Sequence, residues 1–206
     1  VATSKFTPRS WAGLAIILAI GLLLGYAAGF LTPRNSTPGD TSAEAGFARD
    51  MSLHHAQAVA MAMIAYQKGY DGEIRVMGGD IALTQQAQIG IMGQWLDDWK
   101  LNQNSTAAAM TWMPDGATSL KNGLMPGMAT SAEMTALENA RGTELDKMFL
   151  QMMINHHLGG IHMVEGVLKV STDPEVVALA NGMKANQQVE VAHMQKLLTE
   201  LPRKTG

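Results

Sequence analysis

Residues 11–31 contain no charged side chain, and a run of that length crosses the hydrocarbon core of a bilayer as a helix. Beyond it, apolar positions stop being continuous and become periodic. Residues 32–40 (TPRNSTPGD) are a Pro/Gly/Ser-rich tether without apolar periodicity, which marks a domain boundary. Thr41 or Ser42 then caps a predicted helix reaching about Lys68, with Glu44 in its first turn. The break Gly69-Tyr70-Asp71-Gly72 separates it from a second helix, from about Glu73 to Leu101, in which Gly78-Gly79 suggests a bend. Residues 102–129 form a long Gly/Asn/Ser/Pro-rich connection, a length usual only for functional or disordered loops. Thr130-x-x-Glu133 is a capping box for a short helix to about Ala140. A third long helix is predicted for residues 143–170. Asp173 with Pro174 opens a fourth, which should run to about Glu200 and stop at Pro202. The expected fold is all-α: an antiparallel bundle of four helices behind one N-terminal transmembrane helix. Its parts are the tail and anchor (1–31), the tether (32–41) and the bundle (42–206).

The periodic part occurs twice. Glu44, Phe47, Met51, His54, His55 and Met61 are matched 102 positions later by Asp146, Phe149, Met153, His156, His157 and Met163. Gln85, Gln88, Ile89 and Met92 are matched at the same offset by Gln187, Glu190, Val191 and Met194. Two blocks held in one register indicate an internal duplication. The unit is a helical hairpin, with repeat halves of about 42–102 and 143–201.

On a helical wheel each copy places its Phe, Met and His residues on one face, within about a third of the circumference. A plain apolar stripe needs no histidine at the same place twice. The chain has no cysteine and 16 methionines, so thiolate sites are excluded. Methionine alone is read as core filling. Beside paired imidazoles it suits copper, because thioether sulfur is soft and imidazole serves both oxidation states. The candidate ligands are His54, His55, His156, His157, Met51, Met61, Met153 and Met163, with one histidine of each pair facing the interior and its neighbour nearer the rim. Zinc is less favoured without thiolate or a three-histidine cluster. A di-iron centre needs two Glu-x-x-His motifs, and only Glu190-x-x-His193 is present, since its counterpart is Gln88 with Ile91. Gln85, Gln88, Gln187 and Glu190 are expected to hydrogen-bond the rings rather than ligate. Met110, Met113, Met125 and Met128 in the long connection either form a second soft-metal site or anchor the loop.

A net charge of −3 without basic clusters argues against nucleic acid as a partner. No Ser/His/Asp order, phosphate loop or catalytic carboxylate pair stands out, so no enzyme is expected. Lys5 and Arg9 before the apolar run, against Arg34 after it, put the N-terminus in the cytoplasm and the bundle outside, on a single-pass cell-membrane protein. Cleavage near Ala27-Ala28-Gly29 is the competing reading, but the run is longer than a signal core. Gly21, Gly25 and Gly29 form a ridge that admits another helix closely. That ridge raises an alternative role, a structural accessory subunit of a larger membrane complex such as a respiratory oxidase assembly.

Through these motifs the chain resembles domain-of-unknown-function family 305. The second copy matches by Asp146, Phe149, Met153, His156, His157, Met163, Gln187, Glu190 and Met194. The first matches by Phe47, Met51, His54, His55, Ala58, Met61, Ala62, Gln85, Ile89 and Met92. Departures are Glu44 in place of Asp, Gln88 in place of Glu, and Gly160 in place of Ala. The resemblance spans about residues 44–201. It implies a ferritin-like four-helix bundle, usually exported, with some relatives that are periplasmic copper-binding proteins connected with copper resistance. It implies no reaction.

Overall fold

The structure, a computed structural model, describes residues 37–204. The expected anchor (residues 11–31) and its glycine ridge lie outside the described residues. Among those residues there is no strand, only an isolated bridge between Lys121 and Leu124. None of their helices is long and apolar enough to cross a membrane.

The described residues are all-helical in their regular structure. The elements are α1 (Ala43–Lys68), α2 (Gly72–Asp98), α3 (Gly116–Ser119), α4 (Ser131–Asn139), α5 (Gly142–Val170) and α6 (Pro174–Lys204). Four of the six starts are fixed by local chemistry that satisfies otherwise orphaned N–H groups, while α3 and α5 begin without a side-chain cap. Ser42 accepts from Ala45 N–H on α1, and Asp71 accepts from Glu73 N–H on α2. Thr130 and Glu133 close a capping box on α4. Asp173 accepts from the N–H groups of Glu175 and Val176 at the head of α6. Two boundaries differ from expectation. α2 ends at Asp98 because Lys100 turns left-handed, with φ of 59°. α6 continues past Pro202 to Lys204, since a proline removes one helical hydrogen bond without forbidding a terminal turn.

α1 packs along α2, α5 packs along α6, and the two hairpins meet through α1 and α5. Gly78 has a packing role in α2. A Cβ there would stand 2.7 Å from the Ala62 carbonyl oxygen and 2.9 Å from Tyr66 N, so the glycine lets α2 lie against the α1 backbone.

The core has two apolar clusters. One holds Met61, Ile74, Ile81, Phe149, Met153 and Met194. The other holds Phe47, Met51, Met92, Trp95, Met163 and Met183. The duplication exchanges them: Met51 lies in one cluster and its counterpart Met153 in the other, and the same holds for Met61 and Met163. Every long helix passes from one cluster to the other through buried polar residues. These are His54 and His55 on α1, Gln85 on α2, His156 and His157 on α5, and Gln187 on α6. A polar layer therefore crosses the middle of the core.

The long connection is fastened to this frame. Asp50 accepts from Met110 N–H and from the Trp112 indole N–H, both at 2.7 Å. Trp112 also meets Phe47 edge to face, with ring centroids 5.7 Å apart. Arg49 donates to the Asn102 carbonyl at 2.9 Å and to the Asp40 carbonyl at 3.0 Å. Met110, Met113 and Met125 are buried in the second cluster, with Met128 packed against it. These methionines do anchor the loop.

Candidate metal centre

The four histidines of the duplicated motif meet in the polar layer. His54 and His156 face each other across the α1–α5 contact, with ring centroids 3.8 Å apart and planes inclined by 32°. His55 and His157 flank them, each 6.5 Å from its sequence neighbour. None of the four stands at a rim, because all are excluded from solvent. The expected split is instead one of direction. His54 and His156 meet between the hairpins, while His55 and His157 reach the second helix of their own hairpin.

Three of the rings have one nitrogen engaged by the protein. His54 Nε2–H donates to the Pro126 carbonyl at 2.9 Å. His55 Nε2–H donates to Gln88 Oε1 at 2.8 Å, and His157 Nε2–H donates to Glu190 Oε2 at 2.6 Å. The remaining nitrogens are buried without a partner: Nδ1 of His54, His55 and His157, and Nε2 of His156. An imidazole that gives its one N–H to a protein acceptor turns a bare lone pair the other way, as a metal-ligating histidine does.

Burial also keeps these rings neutral, since a charged imidazolium is poorly solvated in an apolar core. It lowers His54 to about 4, against a smaller opposing effect of the Pro126 carbonyl. It lowers His55 to about 3, with His54 adding to the effect. His156 is held well below the ordinary range by burial and then by its histidine neighbours. Neutral rings are the ligating form.

The expected partners divide. Gln88 and Glu190 do hydrogen-bond the rings. Gln85 and Gln187 do not: both amide atoms of Gln85 and Oε1 of Gln187 are buried without partners. The carboxylate of Asp146, which shares the motif's helical face, is used elsewhere. It accepts from the N–H groups of Tyr70 and Asp71 at 2.9 and 2.8 Å and so closes the α1–α2 turn. Among the described residues, no group of three or more His, Asp or Glu is arranged to hold a metal ion. Further donors to an ion would therefore come from sulfur. Met51, Met61, Met153 and Met163 are all fully buried in the apolar clusters that border the layer.

Sequence reasoning missed the strap over the layer, residues 125–129. Its Pro126 carbonyl takes the His54 proton. Gln57 grips Ala129 from α1, its Nε2–H donating to the carbonyl at 2.9 Å and its Oε1 accepting from the N–H at 2.7 Å. On α5 the strap lies on bare backbone: a Cβ on Gly159 would stand 1.9 Å from the Pro126 oxygen. Gly159-Gly160 inside a helix was the available signal, because paired glycines mark close backbone approach. Outside the strap a surface cavity is lined by Met125, Pro126, Gly127, Leu158, Gly159 and His162. His162 there faces Asp115 at 3.2 Å.

An all-helical fold made from a twice-used hairpin, with four buried imidazoles where the copies meet, defines the class of protein. The family described as domain of unknown function (DUF305) matches residues 44–198, and the chain belongs to it. It is similar to a DUF305 protein of Streptomyces coelicolor, provisionally described as secreted, at 43% identity and a TM-score of 0.74, covering 80% of this chain and 96% of that one. A DUF305 fragment from Deinococcus radiodurans is 28% identical with a TM-score of 0.64, over 77% of this chain and 96% of that one. CopM in its Cu(II)-bound form is 24% identical with a TM-score of 0.63, over 77% and 97%. CopM is also solved in Cu(I)-bound, silver-bound and apo forms. At this identity the likeness to CopM shows a shared fold. Among curated proteins none matches.

Proposed function

We propose that this chain is an extracytoplasmic copper-binding protein, held at the cell membrane by residues 11–31, that stores, buffers or hands over the ion. Its bundle is read as an antiparallel, ferritin-like arrangement descended from one hairpin. The observation that carries the reading is the set of bare nitrogens: four buried imidazoles, each with a nitrogen that has no partner, three of them with the other nitrogen fixed by the protein. Leaving such atoms unpaired costs about 1–3 kcal/mol each, so the layer is expensive as core and suited to a ligand. His54, His55, His156 and His157 would hold the ion in pairs, with thioethers from Met51, Met61, Met153 and Met163. That donor set favours Cu(I), which accepts soft sulfur and neutral imidazole. The copper-bound forms of CopM support the choice of metal, and the description of the Streptomyces relative supports the compartment.

The test is competition titration of the full chain with Cu(I) and Cu(II), beside a variant with all four histidines changed to Ala. Binding should be lost in the variant; equal affinity in both proteins refutes the reading. Met51→Leu with Met163→Leu, a swap that conserves side-chain volume, should weaken Cu(I) more than Cu(II).

A further inference from the structure

The two halves of the histidine layer are built alike and charged differently. His55 and His157 occupy equivalent positions, and so do the residues that accept their protons, Gln88 and Glu190. At His55 the acceptor is a neutral amide 2.8 Å away. At His157 it is a carboxylate 2.6 Å away. The His157 side chain is fully buried and that of Glu190 is 20% exposed, so the pair lies at the inner edge of solvent screening. Asn186 Nδ2 donates to the other Glu190 oxygen at 3.2 Å and holds the carboxylate in orientation.

We propose that Glu190 is a positioning and charge-compensating residue that makes the His156–His157 half the stronger seat for a metal cation, while Gln88 leaves the His54–His55 half without a counter-charge. The inference rests on the metal-binding reading above. A cation placed in an apolar core is costly unless an opposite charge accompanies it. Glu190 supplies that charge through the ring: an imidazole whose N–H is given to a carboxylate is a more basic donor at its other nitrogen. Gln88 fixes the same tautomer at His55 and adds no charge. Tautomer and counter-charge are thus separated between the copies, which makes the effect measurable within one chain.

The experiment is chelator-competition titration of the full chain with Cu(I), and with Ag(I) as a redox-inert probe, for wild type, Glu190→Gln, Gln88→Glu and the double exchange. Glu190→Gln should weaken binding by about 10–100-fold with little change in thermal midpoint, because an amide oxygen already serves His55 in the other half. Gln88→Glu should tighten binding, and the double exchange should return the affinity toward wild type. An unshifted affinity in Glu190→Gln, or a Gln88→Glu chain that binds no tighter, overturns the proposal. If Glu190→Gln fails to fold, Gln88→Glu decides alone. A wild-type chain that takes up neither ion overturns the metal reading and this inference with it. Wild-type binding with unshifted variants overturns only the role of Glu190.

Discussion

Gly159→Ala tests whether the strap over the histidine layer is fastened as described. The added methyl would lie 1.9 Å from the Pro126 oxygen, 2.3 Å from its carbonyl carbon and 2.7 Å from Gly127 N. All three are backbone atoms, so no flexible side-chain end can move aside. The strap must lift by more than an ångström, which breaks the His54–Pro126 hydrogen bond. Overpacking of this kind costs about 1–3 kcal/mol, and a buried imidazole N–H left unpaired costs about 1–3 kcal/mol more. Against this, alanine is favoured over glycine in a helix by about 1 kcal/mol. The net expectation is a loss of roughly 1–5 kcal/mol, read from urea unfolding, with faster hydrogen exchange at the Ala129 amide that Gln57 protects. Gly90→Ala is the internal control, since nothing lies within 4 Å of its added carbon. It should stabilise by about 0.5–1 kcal/mol. If Gly159→Ala behaves like Gly90→Ala, the strap does not rest on α5 and the reasoning fails.

The metal-free protein should lose stability in acid. His54 and His55 are lowered in the fold, so between about pH 6.5 and pH 4 the unfolded chain binds protons that the folded chain refuses. Stability is then fully present above about pH 6.5 and falls as the pH drops, by about 1.4 kcal/mol per pH unit for each ring. Urea midpoints that stay flat from neutrality down to about pH 4.5 would contradict the burial of neutral rings. Asp146→Asn places an NH2 group against one of two backbone donors and should cost about 2–4 kcal/mol. A thermal midpoint equal to that of wild type would show that the carboxylate does not close the α1–α2 turn.

The four long helices and α4 were legible from periodicity and local signals, whereas the single turn α3 inside the long connection was not. Ser42, Asp71, Thr130 with Glu133, and Asp173 act on N–H groups within three residues, where sequence spacing and spatial distance are the same thing. The inward-facing histidines were legible for a different reason: an interior position that is duplicated announces itself twice. The parts that escaped depend on long-range approach. Gly78 reads as a helix weakness until α1 is seen lying against it. The Pro126 carbonyl reaches His54 across 72 positions, and no pattern within either element encodes that distance. The chemistry of Asp146 was masked because a helical wheel gives the angle of a side chain and not the level at which it meets its neighbours.

Duplication also explains why the layer is chemically symmetric only at its centre. At the α1–α5 contact His54 meets its own copy, His156, at 3.8 Å. One connecting segment, however, cannot lie identically on both copies. The strap contacts α1 at Gln57 and α5 at Gly159, and these two positions stand in the same 102-residue register as the histidines. One is an amide that satisfies both polar atoms of Ala129; the other has no side chain, so the Pro126 peptide can touch the helix backbone. Identical residues at these positions would serve only one side: two glutamines would exclude the strap from α5, and two glycines would leave Ala129 without its partner. Divergence at this pair is what lets a single linker cover a twofold site. The same covering gives His54, and not His156, the Pro126 carbonyl.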